Sequence, residues 1–163
     1  MVGPVGLGDA DYCIAFCVAN RPALDHYPAL DTLQALAPGE LTHIVANTSN
    51  HWRKLFSVYA KFLYQLGPRA GWPVRWQDYR DNYLLQANSQ TALLFSPPPI
   101  AKTRIHIVAG KTHATELGLQ GLDWLDAHFA INRADRLVVS PYLDYRQLSN
   151  ERIARLAQLV EAV

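Results

Sequence analysis

Asn20 opens one of the two polar stretches at strand ends where this chain is expected to carry a site. It closes the apolar run Tyr12-Cys-Ile-Ala-Phe-Cys-Val-Ala19 and opens a polar segment with two prolines, Asn20 to Pro28. A side-chain amide has no basicity at neutral pH, so it cannot take a proton as a carboxylate can and any chemical role would be one of orientation. Asn is equally an ordinary turn residue after a strand. In the same segment His26 is a candidate general acid or a plain loop histidine, and Tyr27 offers an aromatic platform. A second polar stretch, Ser140 to Leu148 (SPYLDYRQL), combines a hydroxyl at Ser140 with Tyr142, Leu143, Tyr145 and Arg146, side chains that can stack, wedge or meet a phosphate. Gly110 begins a third polar turn, Gly-Lys-Thr-His113. Asn50, His51 and Trp52 stand where a long amphipathic segment begins and could face a ligand there.

Several familiar motifs fail on their chemistry. Ala109-Gly-Lys-Thr112 has the end of a phosphate-cradling loop, but Ile105 stands where that loop needs its opening glycine. There is no G-x-S-x-G, no H-E-x-x-H and no dinucleotide fingerprint, and the six histidines have no paired spacing. Cys13 and Cys17 lack neighbouring His or acidic ligands; on a strand they share one face about 13 Å apart, too far to bridge. Neither a metal nor an organic cofactor is expected.

The elements that must position these residues follow from periodicity. Tyr12 to Ala19 is apolar without alternation, as in a strand buried on both faces. Arg136 to Ser140 is a second buried strand, after which Ser149 caps a helix with Ile153, Leu156, Ala157 and Val160 on one stripe. Ser49 to Leu66 is the clearest helix: Trp52, Leu55, Phe56, Tyr59, Phe62, Leu63 and Leu66 keep the helical period up to the stop at Gly67-Pro68. Leu30 to Leu36 is expected as a short helix, Leu41 to Ala46 as a strand and Gly71 to Asn82 as a structured loop. Thr91 to Phe95 and Arg104 to Ala109 read as strands, Lys111 to Leu119 and Gly121 to Phe129 as helices. The expected architecture is a single α/β domain over residues 1–163. It is a three-layer sandwich with a mostly parallel central sheet of about four strands and helices on both faces. Asn20, Gly110 and Ser140 should then share the edge where parallel strands end.

Composition is ordinary for a globular chain: 163 residues, 50% hydrophobic, 18% charged and a formal net charge of +1. That balance neither favours nor excludes nucleic acid. No apolar run reaches the roughly 20 residues of a membrane span, and the first residues lack a signal-peptide pattern, so a cytoplasmic setting without membrane contact is expected. Oligomeric state is not legible.

Four segments, taken in order, resemble the uracil-DNA glycosylase superfamily, especially its mismatch-specific and hypoxanthine-acting branches. Phe16-Cys-Val-Ala-Asn-Arg-Pro-Ala-Leu24 is similar to a first motif that ends Phe-Cys-Gly-Ile-Asn-Pro-Gly-Leu, and Asn50-His-Trp-Arg-Lys-Leu55 to the Asn-Arg-Phe-Trp-Lys helix start after it. Ile107-Val-Ala-Gly-Lys-Thr-His-Ala114 resembles a later strand, turn and helix. Val139-Ser-Pro-Tyr142 with Leu148-Ser-Asn-Glu-Arg152 resembles the closing motif, whose loop enters the DNA minor groove. The sequence departs from the pattern at Val18 in place of Gly, at the additional Arg21, and at Tyr142 in place of a small polar residue.

The resemblance implies a DNA glycosylase, a DNA-repair hydrolase that excises a deaminated or mismatched base with DNA as partner. It implies that Asn20 positions the attacking water. Base contacts would come from His26, Tyr27, Asn50, Trp52, Gly110 and Ser140, and DNA contacts from Tyr142, Leu143, Tyr145 and Arg146. The alternatives are a non-catalytic relative that binds nucleic acid or a nucleotide-like small molecule, and an interaction protein docking through Gly71 to Tyr83.

Overall fold

In a computed structural model, which describes residues 3–163, a single sheet carries the whole architecture. Its eight strands are β1 (Gly6–Gly8), β2 (Ile14–Cys17), β3 (Leu33–Gln34), β4 (Thr91–Leu94), β5 (Ile105–Ala109), β6 (Asp123–Trp124), β7 (Ala130–Asn132) and β8 (Leu137–Ser140). They lie in the order β3-β1-β4-β2-β5-β8-β7-β6. The helices are α1 (Glu40–Asn47), α2 (Asn50–Leu66), α3 (Trp76–Asn82), α4 (Lys111–Glu116) and α5 (Asn150–Ala162).

The expected sheet of about four strands in a three-layer sandwich is corrected in count, pairing and layering. The sheet is mixed: β1 runs against β4, and β8, β7 and β6 alternate in direction, while β4, β2, β5 and β8 pair in parallel and so does β3 with β1. The added strands β1, β3, β6 and β7 have two or three residues each, too few for a period-2 pattern to declare itself. The layers are unequal as well. Phe16, Leu93, Ile107 and Val138 face one large core with α1, α2, α3 and α5, whereas Ala15, Cys17, Ala92 and Val108 face a smaller one closed by Ala114 of α4 and the loop leucines 117, 119 and 122. The small side chains on that second face allow a loop to lie directly on the sheet.

The strongest helical and strand patterns correspond to elements. Helix α5 buries Ile153, Leu156, Ala157 and Val160 along its inner stripe. Helix α2 buries nine residues over Phe16, whose ring meets Tyr59 and Phe62 edge-on at centroid distances of 4.7 and 5.5 Å. Four readings are overturned. Leu41 to Ala46 lies in helix α1, because Leu41 and Ile44 make a helical i, i+3 pair in the core and the β-branched Thr42 and Val45 point outward or half outward. Leu30 to Leu36 is not a helix; it supplies edge strand β3, and Leu36 bridges to Gln86. Gly121 to Phe129 holds strand β6 and a loop in which the Asp126 carboxylate accepts the His128 and Phe129 N–H groups. Trp76 to Asn82, expected within a loop, is helix α3.

Strand β1 depends on glycine. A Cβ at Gly6 would lie 2.1 Å from the Leu93 carbonyl oxygen and one at Gly8 2.4 Å from that of Thr91, so only glycine lets β1 approach β4. Cys13 sits just ahead of β2 against the helical core and Cys17 faces the opposite side, so the expectation of one shared face fails; both thiols are free.

Candidate functional site

Strands β2, β5 and β8 are parallel neighbours in matched register, Cys17 beside Val108 and Ala109 beside Ser140, so the three chains leave the sheet at one edge. There they enclose an open cleft of about 700 Å³ lined by Asn20, Gly110, Lys111, His113, Ser140 and Tyr142. That volume lies within the usual range for small-molecule sites. Gly110 makes the turn possible: its φ of 99° is in the region that favours glycine, and its N–H donates to the Ser140 carbonyl at 2.7 Å, clamping β5 to β8 at the rim.

Each wall has its own support. Arg21, next after Asn20, donates to the carbonyls of Tyr27, Pro28 and Leu30 at 3.2, 3.2 and 2.7 Å and so braces the loop that carries Asn20. Tyr142 is held by a 2.7 Å hydrogen bond between its hydroxyl and His51 Nε2. Burial pushes the Tyr142 phenol up to about 12 and lowers His51, an effect that Asp144 opposes, so at neutral pH the pair joins a phenol to a neutral imidazole. On the far side Arg152 donates to the Gln147 carbonyl at 2.7 Å and to His128 Nε2 at 3.0 Å, which fixes its guanidinium over the cleft.

His113 is the polar group with most left undone. Both ring nitrogens are buried without a hydrogen-bond partner, and burial lowers its basicity against the opposing pull of Glu116. A neutral imidazole offers one donor and one acceptor, and leaving both unmade inside a protein is costly. The charged residues of the lining are Lys111 and Arg152 against Glu116, a cationic balance that suits an anionic or edge-polar ligand. Among the described residues no group of three or more His, Cys, Asp or Glu side chains is arranged to hold a metal ion.

Of the residues singled out from sequence, the fold brings Asn20, Gly110, Ser140 and Tyr142 together; Asn20 is exposed to the cleft, whereas the Ser140 side chain is fully buried and its Oγ donates to the Pro141 carbonyl. The others lie elsewhere. Trp52 is in the core beside Phe56, and Tyr27 is buried with its hydroxyl donating to Glu40, so neither is a stacking platform at the cleft. His26 is exposed against the Tyr27 ring, and Asn50 accepts from Arg53 Nε on the surface of α2. Leu143 is buried and unavailable as a wedge. Tyr145 and Arg146 are exposed outside the cleft lining, with the Lys61 ammonium 5.3 Å from the Tyr145 ring.

Sequence reasoning passed over Glu116, His128 and Arg152 and gave His113 no role. The signal for His113 and Glu116 is their place on a helix that directly succeeds a buried strand and a glycine turn, a position legible without any phosphate-loop motif. His128 is hidden by the helical pattern of its loop. Arg152 reaches the cleft only because the first turn of α5 lies beside it.

A family model described as a family of unknown function (DUF6942) matches residues 5–161. No curated protein and no solved structure matches the chain. No described helix is long and apolar enough to cross a membrane.

Proposed function

The chain belongs to the DUF6942 family of unknown function, so its activity has to be read from the cleft, and we propose that this cleft takes a nucleobase extruded from DNA and hydrolyses its N-glycosidic bond. The observation that carries the reading is Asn20: it is exposed in a cleft roomy enough for a nucleobase and its sugar, in one lining with Tyr142 and Gly110. The order of the four motifs, with its resemblance to the uracil-DNA glycosylase superfamily, supports the same reading; the family match names no activity.

In this reading Asn20 holds a water toward the anomeric carbon. The bond from that carbon to the base nitrogen breaks with its electron pair leaving on the base, the water oxygen bonds to the carbon, and the released proton ends on the base nitrogen through solvent. Because an amide cannot act as a base, the step relies on orientation and on a leaving base whose charge is met by fixed donors. Tyr142 can supply a stacking face, and Lys111 and Arg152 charge for the leaving base or the flanking phosphates.

The test is incubation with duplexes carrying uracil, hypoxanthine, ethenocytosine or a G·T mismatch, followed by alkaline cleavage. Strand scission with the native chain and none with Asn20→Ala is the expected result. No scission on any substrate removes the catalytic reading.

One observation favours a second reading, a nucleotide-like small molecule bound without catalysis. Leu143 is buried and Tyr142 is tied to His51, so of the four side chains expected to contact DNA only Tyr145 and Arg146 are free to enter a groove. A salt titration of duplex binding separates the two. For a DNA protein, Arg146→Ala lowers the salt slope by about 1 unit, and Tyr145→Ala weakens binding at every salt concentration. A chain that binds no duplex at about 50 mM salt, where phosphate contacts count most, belongs to the second reading.

A further inference from the structure

The three strands that end at the cleft, together with their neighbour β4, begin at a second cavity. Ile14 opens β2, Thr91 opens β4, Ile105 opens β5 and Arg136 immediately precedes β8, and all four line a partly enclosed space of about 250 Å³ at the opposite edge of the sheet. It is larger than the roughly 150 Å³ cavity that accepts a benzene and smaller than most drug-sized sites, so its occupant is a small molecule.

Its lining is divided in character. Leu63 and Leu66 from α2, Val160 from α5, and Ile14 and Ile105 from the sheet give an apolar floor, with Trp72 as an aromatic wall. Arg69 and Arg136 supply the charge, and the lining contains no acidic residue. Neither guanidinium takes part in an ion pair among the described residues. Arg69 donates to the Gln90 side chain and approaches Cys13 Sγ at 3.8 Å, while Arg136 donates to the Lys102 carbonyl at 3.0 Å. Each guanidinium has five N–H donors, so both keep donors to spare. Gln90 and Arg136 also hold φ values of 61° and 51°, a region that non-glycine residues enter at a cost and that collects at ligand-binding positions.

We propose that this cavity binds a small organic acid with an apolar body, its carboxylate held by Arg69 and Arg136 and its hydrocarbon part lying on Ile14, Leu63, Ile105 and Trp72. Two unpaired guanidiniums recognise a planar anion by paired charge-assisted hydrogen bonds, and a half-enclosed apolar floor rewards a hydrocarbon body but not a free inorganic ion. The site stands apart from the cleft at the other edge and does not depend on what that cleft does.

Cys13 provides a reporter, because its thiol lies in the cavity lining and is partly exposed, whereas Cys17 is fully buried. The native chain is titrated calorimetrically with 4-phenylbutyrate, with the neutral amide of that acid, and with inorganic phosphate. In parallel, alkylation of Cys13 by iodoacetamide is followed by mass spectrometry. The acid is expected to bind and to slow alkylation in proportion to its occupancy, with the amide and phosphate at least about 10-fold weaker, the loss that accompanies removal of a charged hydrogen bond. Arg69→Gln and Arg136→Asn, the latter chosen because Asn tolerates a left-handed backbone, should each weaken the acid while leaving the amide unchanged. The proposal is overturned if the acid does not bind at up to about 10 mM, above the millimolar Kd that even a weak small ligand shows. It is equally overturned if the amide or phosphate binds as well as the acid, or if bound acid leaves Cys13 alkylation unchanged.

Discussion

The sheet interior and the cleft at its carboxyl edge are made from the same strands and obey opposite rules. Under α2, Phe16, Tyr59 and Phe62 interlock with no exposure, and the buried Tyr59 hydroxyl donates to the Ala92 carbonyl at 2.9 Å. Just beyond the end of β2, Asn20 is exposed, and elsewhere in the cleft lining the nitrogens of His113 are buried with no partner. The Tyr59 hydroxyl is satisfied by the fold, although the Tyr79 hydroxyl and His106 Nδ1 in the interior are buried without a partner; at the cleft Ser140, Tyr142 and Arg152 are hydrogen-bonded, whereas both His113 nitrogens are not. The histidines differ in degree: His106 on β5 is fully buried with Nε2 bonded to the Tyr12 hydroxyl at 2.7 Å and Nδ1 unpartnered, whereas His113 borders the cleft with neither nitrogen partnered.

If that contrast is right, the largest loss of stability comes from the interior. Phe16→Ala should lower the unfolding free energy by about 3 to 5 kcal/mol, through lost transfer energy and the cavity left between α2 and the sheet. Chemical denaturation measures it, and a loss below about 1 kcal/mol, the size of an ordinary surface change, would mean that the ring is not the centre of the core.

The next effect is a pH dependence located in the interior. Burial, aided by the Arg104 charge, lowers His106 to about 4, below the value of about 6.5 for an unfolded chain. The unfolded chain therefore takes up this proton first as pH falls. The stability contributed by a neutral His106 is complete above pH ~6.5 and is lost progressively down to pH ~4, amounting to about 3 kcal/mol. A His106→Gln variant should be less stable at pH 7 but show a flatter stability profile between these limits. An unchanged slope would move the titrating group elsewhere.

A smaller change tests whether interior polar groups are satisfied by design. Tyr59→Phe should cost about 1 to 2 kcal/mol, because it removes a buried hydrogen bond and leaves the Ala92 carbonyl with one partner fewer. Equal denaturation midpoints for the variant and the native chain would show that this bond contributes nothing net.

The smallest stability change is expected at the cleft. Asn20→Ala should alter the melting midpoint by no more than the equivalent of about 0.5 kcal/mol while removing any base excision. A large destabilisation would place Asn20 with the structural turns and erase the contrast between edge and interior.

How much of this was legible in the sequence depended on segment length. Seventeen residues of α2 and thirteen of α5 repeat their apolar stripe often enough to be read directly, and the unbroken apolar runs before Asn20 and at Leu137 to Ser140 marked two buried strands. Their polar exits, Asn20, Gly110 and Ser140, were visible as punctuation, and parallel pairing gathered them. The eight residues of α1 misled because Thr42, Ile44 and Val45 favour a strand locally, a preference overridden by packing of Leu41 and Ile44.

By itself, then, the sequence determined the buried strands, the two long helices and the three turns that border the cleft, because those features depend on neighbours a few residues apart. Only the tertiary structure decided which side chains meet there. Trp52 and Leu143 look like ligand contacts until helix and loop turn them into the core, and Arg152 and His128, 24 residues apart, reach one wall because α5 and the loop before β7 fold to the same edge. Strands β1, β3, β6 and β7 likewise exist through their partners, since two or three residues have no stable extended form until a neighbouring strand supplies the hydrogen bonds.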